Sequence, residues 1–239
     1  MATAAEHSKL ASNPFCTRFI YPGAFRYEFA SCVQDSPTGA PVGFAHRDGP
    51  DSSHRRKLAA IVEELQRAKL GLIVGPHGSG KSTLIQTLLP ELRKEFVQVG
   101  YLRLHGFQGQ SRWQRFQHAS HQGRQVRRTA ASAPTQALII IDGMEQLSPA
   151  DRWWLKRHAL RKEKWVLGTS HKTLGGFLTL HTTTVSRPLV QWLCDQLLHD
   201  APPQTCEVVR ERLQRTDIHS QTDIRKLWFD LYDAVASSA

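Results

Sequence analysis

From residue 51 onward the apolar positions alternate between two rhythms. Leu58, Ile61, Val62, Leu65 and Leu70 recur at helical spacing behind an Asp51-Ser52-Ser53 N-cap, and Gly71 ends that helix. Leu72-Ile73-Val74 is a short apolar run with no polar alternation, the pattern of a strand covered on both faces. Leu84, Ile85, Leu88 and Leu89 predict a helix from Lys81 to about Lys94, and 96–104 predicts a second strand. Residues 105–136, rich in Gln, Arg and His, predict one helix with flanking loops. The β-branched run 137–141 is a third strand. Ser148-Pro149-Ala150-Asp151 starts a helix that ends near Lys164, with a capping serine, a first-turn proline and an early acid. Residues 165–169 and 177–184 predict strands four and five, and 186–199, 203–215 and 221–235 predict three closing helices.

Strands alternating with helices imply a parallel α/β sheet of five strands, followed by a small helical appendage. The first 50 residues differ. Their turn signals (Asn13-Pro14, Tyr21-Pro22-Gly23, Ser36-Pro37-Thr38-Gly39, Asp48-Gly49-Pro50) break any period, while Phe15, Phe19, Ile20, Tyr21, Phe25, Tyr27 and Phe29 offer packing surface. The division expected is an arm over 1–50, a core over 51–185 and a helical subdomain over 186–239.

Composition narrows the class. In 239 residues, 40% hydrophobic and 22% charged, nothing is collagenous or low-complexity. No apolar run approaches the ~18 residues of a membrane helix, and the N-terminus lacks the pattern of a secretory signal. Cys16, Cys32, Cys194 and Cys206 form no CxxC pair, which argues against a zinc site or disulfide framework and fits a reduced, cytoplasmic compartment. His118 and His121 lack a third ligand for a metal.

The net charge of +10 is uneven: 96–141 holds six arginines and no acid. Arg112, Arg115, Arg124, Arg127 and Arg128 are interleaved with Phe107, Trp113 and Phe116, and Arg152, Lys156, Arg157, Arg161, Lys162 and Lys164 follow on the next helix. Such segments, 105–128 and 152–164, suit a DNA or RNA backbone with occasional base stacking, and equally a solvated charged surface. Arg127 or Arg128 is alternatively an arginine finger toward a neighbouring subunit.

The sharpest motif is Gly75-Pro76-His77-Gly78-Ser79-Gly80-Lys81-Ser82, which matches G-x-x-x-x-G-K-[ST] between a strand and a helix. Glycines let successive backbone N–H groups turn inward onto phosphate oxygens, and the helix end at Lys81, Ser82 and Thr83 adds unpaired donors. Lys81 is suited to β- and γ-phosphates, and the Ser82 hydroxyl to Mg²⁺.

On these residues the chain resembles the P-loop NTPases, and 138–142 (Leu-Ile-Ile-Ile-Asp) resembles their second motif, an apolar strand ending in a magnesium-holding aspartate. Asp142 lies 61 residues after Lys81 with a complete strand between, similar to the additional-strand, catalytic-glutamate branch that includes AAA+ and STAND-like ATPases. The chain lacks the Asp-x-x-Gly and Asn-Lys-x-Asp marks of Ras-like GTPases and the Leu-Ser-Gly-Gly-Gln mark of transporter ATPases. The resemblance implies a three-layer P-loop core with a helical C-terminal lid, ATP and Mg²⁺ as ligands, and a carboxylate directly after Asp142 to polarise water. Gly143 occupies that position, so the nearest candidate is Glu145, which alternatively is a solvated helix-start residue. Thr169-Ser170-His171 resembles the polar γ-phosphate sensor of AAA+ proteins. Thr222-Asp223-Ile224-Arg225 resembles their Gly-x-x-Arg lid signature, with Thr222 in place of glycine. Residues 13–23 stand where many AAA+ proteins contact adenine. The implied activity is ATP binding with hydrolysis, and the basic segments suggest that the ATPase is nucleic-acid-associated. The alternatives are a nucleotide-gated switch acting through self-association or a protein partner, and a small-molecule kinase.

Overall fold

The computed structural model describes residues 13–17, 19–21, 23–29, 52–106 and 112–238. Asp51, Cys32, Phe107 and the turn signals at 36–39 and 48–50 lie outside them, as do the side chains of Arg112, Trp113, Arg115 and Phe116. The chain divides into two compact units, and the division falls within one helix.

The first unit, Asp51–Gly75 with Thr87–Thr183, holds the sheet. Its elements are α1 (Ser52–Ala68), β1 (Leu70–Val74), the C-terminal part of α2 (Lys81–Glu95), β2 (Val99–Arg103), α3 (Arg112–Ser132), β3 (Leu138–Asp142), a 3₁₀ turn (Met144–Gln146), α4 (Pro149–Arg161), β4 (Trp165–Ser170) and β5 (Leu178–Thr182). All pairings are parallel, in the order β2-β3-β4-β1-β5. Every residue of β1 and β3 is buried, as their uninterrupted apolar runs require. Leu70, Leu72 and Val74 face a core shared with Val126 and Ala130 of α3 and Leu155 and Ala159 of α4. Gly71 alternates to the other face, where a Cβ would overlap Leu180 and fall 2.8 Å from Leu65 of α1. Helices therefore cover the sheet on both sides.

Two boundaries differ from the sequence pattern. The first helix stops at Ala68 because Lys69 takes the left-handed conformation (φ 62°) and its N–H closes on Leu65 O. Leu70 and Gly71 are therefore strand residues, and Gly71 is small because side chains crowd it. The second strand is shorter than 96–104, since Phe96 packs edge-on against Trp165. The start of α4 is as the motif predicts: Ser148 Oγ accepts from Asp151 N at 3.1 Å, with Pro149 opening the helix.

The second unit comprises Pro76–Gln86, Thr184–Ala239 and the described part of Met1–Pro50. It contains α5 (Arg187–Leu197), α6 (Pro203–Arg215) and α7 (Ile224–Ser238). Val190 and Cys194 of α5, Val209 and Leu213 of α6, and Leu227, Trp228 and Leu231 of α7 form one core. Phe15, 1% exposed, joins that core against Trp228 with ring centroids 5.6 Å apart, and Asn13 Nδ2 donates to Tyr232 O. Burial pushes the Cys194 thiol up to about 12, so it behaves as a small apolar group. No disulfide forms among Cys16, Cys194 and Cys206.

Candidate functional site

The phosphate-loop segment lies between β1 and α2. Gly78 and Gly80 have φ values of +70° and +89°, the left-handed region that glycine enters without penalty. Space also requires Gly78: a Cβ there would overlap Asp223 Oδ1 and come 2.9 Å from Ile224 N. The start of α7 thus lies directly against the loop. Ser79 and Lys81 are buried, and both close the turn from inside, Ser79 Oγ donating to Pro76 O at 2.9 Å and Lys81 Nζ to the same carbonyl at 2.6 Å. His77 is exposed, and Ser82 and Thr83 are half-buried in the first turn of α2. That turn is the N-terminal end of α2, where the helix dipole favours a negative group.

Arg225 is exposed on the first turn of α7, and its N–H donates to Asp223 Oδ1 at 3.0 Å. Thr222 and Asp223 precede this helix rather than lying in it, because Asp223 caps it and Thr222 Oγ1 accepts from His219 N. Asp223 carried no signal in the sequence beyond standing inside the lid-like tetrapeptide.

The sheet unit assembles a second cluster at the carboxyl ends of its strands. Asp142 ends β3. Its Oδ1 accepts from Thr169 Oγ1 at 2.7 Å, and its Oδ2 from Tyr101 OH at 3.0 Å and Arg103 Nε at 3.4 Å. Strand register explains the set: Arg103 pairs with Asp142 across the β2–β3 ladder, and Tyr101, two residues earlier, faces the same side. Thr169 follows Gly168, the partner of Ile141 on β4. The Tyr101 phenol is raised above its ordinary value, first by burial and then by the Asp142 charge, so it remains a donor.

Gly143 then turns the chain. At φ +93° it donates its N–H to Thr169 Oγ1 at 2.8 Å, and a Cβ would lie 3.0 Å from Leu104 O. No side chain fits here without strain, which is why the position after Asp142 is glycine. The 3₁₀ turn that follows carries Glu145 onto His171, with Oε1 3.1 Å from Nε2. His171 Nδ1 lies 3.2 Å from Gly75 O. Both partners, a carbonyl and a carboxylate, accept hydrogen bonds. Glu145 Oε2 is buried and has no hydrogen-bond partner among the described residues. The sequence named Asp142, Glu145 and His171 separately. The fold pairs Glu145 with His171 and sets Asp142 among Thr169, Tyr101 and Arg103, the last two of which the sequence missed.

One stability test follows from Gly143. Gly143→Glu, which places a carboxylate directly after Asp142, is expected to cost about 1–3 kcal/mol through its left-handed backbone. A fall in the thermal midpoint of at least ~2 °C with no gain in ATP turnover is the expected outcome. Higher turnover at unchanged stability would contradict this account of the turn.

The basic segments separate into two groups. Arg127 Nε donates to Asp151 Oδ1 at 2.8 Å, and its guanidinium lies over Trp154. Lys164 is buried with Nζ on Ala130 O at 2.6 Å, where burial lowers its affinity for the proton, and Lys156 Nζ donates to Gly175 O. Arg124, Arg128, Arg157, Arg161 and Lys162 remain exposed. On α4, Arg157 lies over the ring of Trp153, itself 59% exposed. No group of three or more metal-ligating His, Cys, Asp or Glu residues occurs among the described residues, and no described helix is long and apolar enough to cross a membrane.

The strand order gives a parallel α/β fold, with the glycine-turned loop after β1 and an aspartate ending β3. No protein-family model matches the chain, and no curated protein matches it. Solved structures similar to it include PCH-2 of C. elegans, at 14% identity and TM-score 0.45 over 79% of this chain and 68% of that one. Another is the replication initiator DnaA bound to AMPPCP and single-stranded DNA, at 16% and 0.47 over 75% of this chain and 59% of that one. A third is the Holliday junction branch migration motor RuvB of Thermotoga maritima, at 13% and 0.43 over 77% and 69%. The chain thus spans about three-fifths of the DnaA chain it matches.

Proposed function

We propose that this chain binds ATP through its phosphate loop and hydrolyses it, as an AAA+-like protein of the additional-strand branch. The observation that carries the reading is the loop itself: two left-handed glycines, a lysine turned inward and a helix N-terminus, all directly after a buried parallel strand. The sheet order supports the branch, because β4 separates the loop strand β1 from the aspartate strand β3. Residues 96–104, the sequence mark of that branch, hold the edge strand β2, and β4 lies between β1 and β3.

In this reading Gly75, Pro76, His77, Gly78, Ser79, Gly80, Lys81, Ser82 and Thr83 line the phosphates. Ser82 and Asp142 hold Mg²⁺, the latter through water. Asp142 suits such an outer-sphere role, since its oxygens already accept at least three hydrogen bonds. The ion supplies charge neutralisation along the phosphates. Glu145 polarises the attacking water, its buried unpartnered Oε2 being the basic oxygen, and His171 holds the other. Arg225 approaches the phosphates from α7, whose first residues lie against Gly78. The test is equilibrium binding and turnover of ATP by the wild type and by Lys81→Ala, with release of inorganic phosphate separating hydrolysis from transfer to a metabolite. Absence of binding sinks the reading.

A second reading, association with single-stranded nucleic acid, is favoured by one face of α4. There an exposed tryptophan lies under an exposed arginine, beside Arg161. A flat ring with an adjoining guanidinium stacks a base and neutralises a phosphate. Trp153→Ala is expected to weaken binding of a single-stranded oligonucleotide by roughly 5- to 100-fold. Arg157→Gln should flatten the log–log salt dependence by about 0.7. Fluorescence anisotropy across a salt series measures both. Equal affinity of wild type and Trp153→Ala would remove α4 from the interface.

A further inference from the structure

The bases of α3 and α4 are placed differently from those of α1, α2 and α6. On those three helices a base stands three or four residues from an acid and pairs with it, as Arg67 does with Glu63, Lys94 with Glu91 and Arg215 with Glu211. No acid occurs in α3, and the one acid of α4, Asp151, is buried and already holds Arg127. The two helices lie side by side and run the same way, because their contacts advance together: Gly123 against Asp151, Arg127 over Trp154, Ala130 O beside His158 Nε2. Val126 and Ala130 of α3 and Leu155 and Ala159 of α4 turn inward to the sheet core. At the helical period Arg124 and Arg128 are then on the outer side of α3, and Trp153, Arg157 and Arg161 on the outer side of α4. All five are exposed.

We propose that this outer face is one continuous surface for single-stranded nucleic acid, on which Trp153 takes a base while Arg124 and Arg128 of α3 carry the backbone together with Arg157 and Arg161. The inference rests on the single-strand reading of α4 and deepens it by making α3 the second half of the site. Three features point to this occupant. Arg124 and Arg128 are ~6 Å apart along their helix, and packed helix axes lie about 8–10 Å apart, so the cations repeat on the scale of successive phosphates in both directions. All four cations are arginine, whose planar fork matches phosphate oxygens. The exposed Trp153 ring selects a single strand, since the bases of a duplex are stacked on one another and offer no free face. Arg127 stands outside the site: committed to Asp151 and Trp154, it pins the two helices at a fixed spacing. The charged face is thereby organised before any ligand arrives.

The experiment uses the full chain and a fluorescein-labelled oligothymidylate, with anisotropy read across a salt series. The double variant Arg124→Gln/Arg128→Gln should flatten the log–log salt dependence by about 1.4, two single-strand phosphates at ~0.7 each, and weaken binding at low salt by roughly tenfold. Arg124→Lys/Arg128→Lys, which keeps both charges, should keep the slope. Arg55→Gln removes an exposed charge from α1, on the opposite side of the sheet, and should leave the slope unmoved. A wild-type slope in the double glutamine variant, with Trp153→Ala still weakening binding, would overturn the inference alone and leave the α4 reading intact. Equal flattening per charge by Arg55→Gln would also overturn it, because attraction by net charge has no preferred face. So would a duplex, or poly-L-glutamate, that displaces the labelled strand as well as unlabelled oligothymidylate does; the latter result is that of a surface for an acidic protein. No binding by the wild type would remove the single-strand reading and this inference together.

Discussion

Lys81→Ala is expected to lower ATP affinity about a hundredfold and to leave the fold standing. A lysine ammonium between two phosphates makes charge-assisted hydrogen bonds of roughly 1.5–3 kcal/mol each, and about 2.7 kcal/mol is a hundredfold. The structure explains why folding survives. Lys81 Nζ and Ser79 Oγ both donate to Pro76 O, so removing the ammonium leaves that carbonyl with a partner. The left-handed turns at Gly78 and Gly80 do not involve the Lys81 side chain. Calorimetric titration with ATP, paired with a thermal melt, separates the effects. A variant that still binds ATP within about threefold of wild type, near half a kcal/mol, would show that phosphates are held elsewhere.

Glu145→Gln is expected to retain ATP binding and to lose hydrolysis by about a hundredfold or more, the usual loss when a positioned base is removed. The substitution keeps the shape of the side chain and removes the charge that faces His171 Nε2 at 3.1 Å. Glutamine has no basic oxygen to accept a proton from water. The His171 contact adds a second measurement. If His171 acts by holding Glu145, the effects of His171→Ala and Glu145→Gln on kcat overlap, and the double variant is little worse than Glu145→Gln. Full additivity would separate the two residues. Wild-type turnover in Glu145→Gln would remove the glutamate from the chemistry.

Much of the fold was legible because it depends on local pattern. The runs at 72–74 and 138–141 are apolar without alternation because both faces of those strands are covered, and Ser148-Pro149 starts a helix through its own hydroxyl. The loop was legible because its motif fixes glycine at positions such as 78 and 80, whose left-handed backbone glycine enters without penalty. What stayed hidden depends on strand order. Arg103 read as one of six arginines in an acid-free run, and only the β2–β3 register sets it opposite Asp142. Lys164 and Arg127 counted toward a basic surface, although one is buried on Ala130 O and the other is tied to Asp151. Charge totals cannot distinguish a cation that faces water from one that closes a helix–helix contact. The same limit hid the reason for Gly143, which lies in Leu104 O, a carbonyl 39 positions away in the chain.

The Asn13–Tyr232 hydrogen bond and the Phe15–Trp228 contact set an order of events during synthesis. The strands and helices between residues 87 and 183 are complete once Thr183 has been made, so that unit has its partners while translation continues. Asn13 and Phe15 have to wait. Phe15 emerges early and finds its buried place only after the chain has reached α7, some two hundred residues later. Closure across such a separation is slow, and the waiting segment exposes aromatic surface meanwhile. Gly78 meets Asp223 in that same late-closing unit, so the phosphate loop acquires its α7 neighbour only once residues 223 and 224 have been made. Nucleotide added to stalled chains should protect the loop only when α7 has been made.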